Sequence, residues 1–145
     1  MKKILTIIDF NRTIFDPETK TFFKDARLVL EKLKEKKSVI ILISQKEDSR
    51  AKALRENGLD ELFEEIHFVE EKTTTLFKGL VEKYKPDQTF VVGDYLPAEI
   101  RIGNIIGAET IWLASGKFSF FKPKEKMEIP KHTVKQLIDI LPIIN

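Results

Sequence analysis

Two carboxylates follow directly on hydrophobic, β-branched runs. Asp9 closes the run Ile4 to Ile8 and opens Asp9-Phe10-Asn11-Arg12-Thr13, while Asp94 closes Phe90 to Val92 in Gly93-Asp94-Tyr95-Leu96-Pro97-Ala98-Glu99. If the two runs are neighbouring strands, both acids stand at one carboxyl edge, where open α/β sheets bind their ligands. Carboxylates held close together repel unless a cation lies between them, and Mg²⁺ takes oxygen ligands of this kind. Ser44 ends the run that begins at Val39, and its hydroxyl can donate to a phosphate oxygen. Lys72, just before a helical segment, could neutralise another such oxygen; Lys78, inside that segment, is the second choice because it would face solvent.

These side chains need a scaffold that brings distant positions together. Ile4 to Ile8, Val39 to Ile43, Ile66 to Val69, Phe90 to Val92 and Ile111 to Leu113 are short and apolar on both faces, as strands covered on both sides are. Helical spacing lies between them. Ala26, Val29, Leu30 and Leu33 mark one helix; Ala51 and Leu54 mark a second, stopped at Asn57-Gly58. Leu76, Phe77, Leu80, Val81 and Tyr84 make a third, ended by Pro86, and Ile100, Ile105 and Ile106 belong to a fourth. A last helix is expected through Val134, Leu137, Ile138 and Leu141, with Thr133 and Gln136 as its capping box. Thr13 to Phe23, interrupted by Asp16-Pro17, reads as a β-hairpin, and Ala114 to His132 as a long loop. The alternation predicts a three-layer α/β domain with a five-stranded parallel sheet, its strands in the order third, second, first, fourth, fifth.

Composition narrows the classes. The chain has 145 residues, 25 Lys plus Arg against 23 Asp plus Glu, two His and no Cys, which favours one domain over residues 1–145. At 42 % hydrophobic and 33 % charged, it is neither disordered nor coiled-coil in type. Without cysteine there is no disulfide, zinc-thiolate site or thiol nucleophile. The net charge of +2 gives no indication of nucleic-acid binding. The apolar run after Lys2-Lys3 stops at Asp9, too short for a signal peptide or a membrane span, so a cytoplasmic protein is expected.

Taken together, the motifs resemble the haloacid dehalogenase (HAD) superfamily of phosphotransferases, over nearly the whole chain from Asp9 to at least Leu113. That family has Asp-x-Asp-x-Thr/Val after strand one, Thr/Ser after strand two, a Lys further on, and Gly-Asp with a second acid after strand four. Here these positions read Asp9-Phe10-Asn11-Arg12-Thr13, Ser44, Lys72, and Gly93-Asp94 with Glu99. The resemblance implies a Mg²⁺-dependent phosphohydrolase in which Asp9 attacks phosphorus to give an aspartyl phosphate that water hydrolyses. It further implies metal held by Asp9, the Asn11 carbonyl and Asp94 with help from Glu99, and phosphoryl oxygens held by Ser44 and Lys72.

One position departs from the family's pattern. Asn11 replaces the second aspartate, which in such hydrolases protonates the leaving oxygen; an amide can hydrogen-bond there but does not transfer the proton. General acid-base catalysis contributes about 10²- to 10⁴-fold, so slow turnover is expected, favouring acyl or aryl phosphates over alkyl esters. A second reading is therefore a catalytically impaired HAD-fold module that binds phosphate or a partner. The intervals Thr13 to Ile43 and Gln45 to Glu71 leave no room for the family's cap domain. A capless site implies a large or macromolecular phosphorylated substrate, or a cap supplied by a partner subunit in a homo-oligomer. Phe22, Phe23 and the Phe118 to Phe121 loop are candidates for framing its entrance.

Taken singly, these residues have plainer explanations. Asp9 or Asp94 alone would be read as a turn or cap residue, Ser44 as an N-cap, Glu99 as an exposed helix residue and Trp112 as core. His67 and His132 have no companion at ligand spacing. Neither a P-loop, a Gly-x-Gly-x-x-Gly turn nor a Gly-x-Ser-x-Gly elbow occurs.

Overall fold

The computed structural model describes residues 2–145. Strand β1 (Ile4–Ile8) is followed by a two-stranded antiparallel flap, β2 (Phe15–Asp16) and β3 (Thr21–Phe22). Next come α1 (Ala26–Glu35), β4 (Val39–Gln45), α2 (Asp48–Glu56), β5 (Glu65–Val69), α3 (Thr74–Tyr84) and β6 (Gln88–Gly93). A π-helical turn over Leu96–Ile100 runs into α4 (Arg101–Ile105), which precedes β7 (Glu109–Leu113) and β8 (His132–Val134).

All five pairings of the six-stranded sheet are parallel, in the order β5-β4-β1-β6-β7-β8, so the predicted order holds and is extended by one strand. The alternation of side chains in β1 shows how three layers form. Ile4 and Ile8 join Ile40, Leu42, Phe90 and Val92 against Ala26, Val29, Leu30 and Leu33 of α1. Leu5 and Ile7 join Ile41, Ile43 and Val91 against Phe77 and Leu80 of α3 and Ile102 of α4. Burying each such side chain contributes about 1.5–3 kcal/mol, which fixes the register of β1, since a slip of one residue would exchange its two faces. Thr6 is the polar member of that strand; its hydroxyl pairs with that of Ser38 at 2.8 Å in the core.

The last predicted helix is corrected. Val134 lies in β8, opposite Leu113, and the following turn, Leu137–Ile140, is a 3₁₀ helix. A capping box is present, but Gln136 and Asp139 form it, three residues later than the Thr133-Gln136 pair suggested. The β-branched Thr133 and Val134 thereby complete the backbone pairing of β7. The segment between β7 and β8 is pinned to α4: Asn104 Nδ2 donates to the carbonyls of Met127 and Ile129, both at 2.8 Å.

Candidate active site

Register carries the two acids to one place. Ile8 stands opposite Val92, and the Asp9 amide continues the ladder by donating to the Val92 carbonyl at 3.1 Å. Asp9 and Asp94 thus emerge side by side at the carboxyl ends of adjacent central strands. Glu99 reaches them because the π-helical turn folds back over Gly93. A Cβ at Gly93 would lie 2.2 Å from Glu99 Cγ, so only glycine leaves room. Such turns recur at functional sites.

Lys72, one residue before the Thr73 cap of α3, enters from the other side. Its Nζ donates to Asp9 Oδ1 at 2.6 Å and to Glu99 Oε1 at 3.3 Å. Lys78 is exposed on α3 and takes no part. Trp112, on β7, donates its indole N–H to the Asp94 carbonyl at 2.9 Å and so fixes the backbone that presents this acid.

Three carboxylates and one ammonium make an unbalanced set. Burial works against the charged form of Asp9, but the charge and hydrogen bond of Lys72 outweigh it and hold this carboxyl below the ordinary range. Asp94 is pushed up to about 8 by burial and then by the Asp9 charge. Glu99 is likewise raised, by burial and by both aspartates, with Lys72 opposing. Burial also disfavours the Lys72 ammonium, yet Asp9 and Glu99 raise its pKa overall.

The donor set fits a divalent cation. One oxygen from each of Asp9, Asp94 and Glu99 lies within 4.8 Å of the others, and the buried Asp94 Oδ2 and Glu99 Oε2 have no hydrogen-bond partner. Buried, unsatisfied carboxylate oxygens are costly, and an oxygen-seeking ion offsets that cost.

The acids open into a cleft of about 530 Å³ lined by Asn11, Arg12, Arg50, Lys72, Tyr95 and Phe118 among others. Ser44 is fully buried and not on its wall; its hydroxyl donates to the Gln45 carbonyl at 3.1 Å and accepts from Arg50 Nη1 at 2.8 Å. Gln45 and Arg50 form the wall there. The sequence reading gave Arg12 and Arg50 no role, because Arg12 fills a variable position of the first motif and Arg50 lies outside the motifs. Of the aromatics expected at the entrance, Phe118 lines the cleft and packs with Tyr95 and Phe121. Phe120 projects into solvent at 88 % exposure. Phe22 instead packs on Phe10 and Phe15 under the flap, and Phe23 lies along a separate depression near Leu137.

Residues 69–140 match the HAD-hydrolase-like family. The chain is also 29 % identical over 103 residues to YfnB of Bacillus subtilis (strain 168), named as a candidate HAD-hydrolase. Both matches are to the HAD superfamily. The match covers 65 % of this chain but only 42 % of YfnB, so it spans less than half of that relative. Among solved structures, a candidate haloacid dehalogenase-like hydrolase from Burkholderia xenovorans LB400 superposes with a TM-score of 0.81 at 12 % identity, covering 99 % of this chain and 97 % of the other. The D,D-heptose 1,7-bisphosphate phosphatase of B. bronchiseptica, complexed with magnesium and phosphate, gives 0.77 at 11 % identity over 99 % and 97 % of the two chains. These likenesses establish the Rossmann-like HAD fold. Among the described residues no helix is long and apolar enough to cross a membrane.

Proposed function

We propose that this chain is a HAD-type phosphohydrolase with Asp9 as its nucleophile. The observation that carries the reading is the meeting of Asp9, Asp94 and Glu99 around two unpartnered oxygens, with Lys72 on the far side of Asp9. Mg²⁺ would be held by Asp9, Asp94 and the Asn11 carbonyl, with Glu99 beside it, and would supply positive charge against the phosphoryl oxygens. Lys72 steadies Asp9 as a carboxylate, the form able to attack phosphorus, and takes a phosphoryl oxygen together with Arg50 on the cleft wall, which the buried Ser44 hydroxyl holds in place. The product of attack is an aspartyl phosphate, which water returns to carboxylate and inorganic phosphate.

Asn11 carries the second reading, a module that binds phosphate or a partner without efficient turnover, because its amide offers no proton to a leaving alkoxide. The element order places only the flap and α1 between β1 and β4, and α2 with a short turn between β4 and β5. An open cleft of this kind suits a large phosphorylated substrate or a covering partner subunit. A panel of phosphorylated substrates assayed with Mg²⁺, run beside Asp9→Asn, decides between the readings. Hydrolysis that vanishes in the variant supports the enzyme; no hydrolysis by either protein supports the module.

A further inference from the structure

Resting on the phosphohydrolase reading, we infer that the cleft takes substrates whose leaving group departs as an anion, namely acyl phosphates and phosphoanhydrides, and that Arg12 receives that anion. Arg12 follows Asn11 directly and shares the cleft wall with it and with Asp9. Its backbone is left-handed, at φ 58°, a conformation that residues with a side chain rarely adopt. The side chain lines the cleft, with the guanidinium 4.9 Å from the Phe118 ring centroid.

Arg12 is poorly satisfied where it stands. Its buried Nε has no hydrogen-bond partner, and its ion-pair contact is Asp94 Oδ2 at 4.0 Å, beyond hydrogen-bonding reach. The other cations around the cleft are engaged: Lys72 by Asp9 and Glu99, Arg50 by Ser44 and the Gln45 carbonyl, Arg101 by Glu125 at 2.6 Å. Arg12 is thus the cation with donors to spare, next to the residue that cannot supply a proton.

The chemistry follows from that pairing. When Asp9 Oδ bonds to phosphorus, the bond from phosphorus to the leaving oxygen breaks and its electron pair stays on that oxygen. An alkoxide is about as basic as hydroxide, whose conjugate acid has a pKa of about 15.7, so it needs a proton during departure. A carboxylate, with a pKa near 4, does not; it needs charge stabilisation, which a permanently protonated guanidinium provides through two parallel N–H donors. Water then attacks the aspartyl phosphorus, the bond to Asp9 breaks, and the surplus proton passes to solvent.

The test uses the intact chain with Mg²⁺, acetyl phosphate, and a series of substituted phenyl phosphates of graded leaving-group basicity. Arg12→Gln should lower kcat/KM for acetyl phosphate by about 10²-fold, the scale seen when one oxyanion donor is removed, with partial recovery in Arg12→Lys. Across the phenyl series the rate should fall more steeply with leaving-group basicity in Arg12→Gln than in the wild-type chain. An unchanged slope with a uniform loss of rate would overturn the inference while leaving the nucleophile in place, as would absence of acetyl phosphate turnover beside hydrolysis of another phosphate. Survival of all activity in Asp9→Asn would instead overturn the phosphohydrolase reading on which it rests.

Discussion

Trp112 donates its indole N–H to the Asp94 carbonyl from the adjacent strand, at 2.9 Å and out of contact with bulk water. The bond joins a residue that reads as simple core to the backbone of the acidic site. Replacing Trp112 by Phe keeps much of the ring and strands the carbonyl. Urea unfolding should show a loss of about 1–3 kcal/mol, the cost of an unsatisfied buried acceptor. Weaker Mg²⁺ binding by calorimetry should accompany it.

Divalent cation should stabilise the fold. Asp94 and Glu99 present unpartnered buried oxygens, so Mg²⁺ at one hundred times its dissociation constant should add about 2.7 kcal/mol, visible as a rise in Tm. The rise should disappear in Asp94→Asn. An equal rise in both proteins would place the ion elsewhere.

Gly93→Ala tests the close approach of the π-helical turn. The new methyl would meet Glu99 Cγ at 2.2 Å, and overpacking of this kind costs about 1–3 kcal/mol. Thermal unfolding should register the loss, and Glu99 should be displaced from Lys72. A variant as stable as the parent, with unaltered Mg²⁺ affinity, would show that the turn moves freely.

Asn11→Asp should raise turnover of an alkyl phosphate by about 10²- to 10⁴-fold by restoring a proton donor. Steady-state assay with glycerol phosphate measures it. No gain in a folded variant would place the rate limit elsewhere.

Glu65 offers a pH test remote from the site. Hydrogen bonds from Lys83, then Tyr84 and His67, hold its carboxyl down at about 2, against an ordinary 4.5. Because the folded pKa is the lower one, the associated stability is fully present above 4.5 and is lost as pH falls towards about 2. Glu65→Gln should therefore be less stable by about 1 kcal/mol near neutrality, with the gap closing in acid. Urea midpoints at the two pH values suffice; a gap independent of pH would mean that charge is not its source.

Sequence legibility followed the reach of local signals. The apolar runs of the four inner strands were visible because burial on both faces writes itself into consecutive residues, whereas the edge strand β5 is only half-buried; the carboxyl ends of two inner runs located Asp9 and Asp94. Strand β8 was hidden: three residues, only Val134 of them buried, carry too little pattern against a nearby capping signal. Arg50 and Trp112 act through positions that only the folded chain brings near the acids, and Arg12 fills a variable position of the first motif, where residue type carries no signal. Ser44 shows the reverse limit, since its place at a strand end was readable but the orientation of its hydroxyl towards Gln45 was not.

β8 also governs how copies of this chain can meet. By pairing with β7 it becomes one rim of the sheet, only three residues long, and the opposite rim, β5, bears Glu65 hydrogen-bonded to His67 and Lys83. A second sheet docking along β5 would have to dehydrate the Glu65 and Lys83 charges, and one docking along β8 would find a ladder of three residues, so strand-by-strand polymerisation is discouraged at both borders.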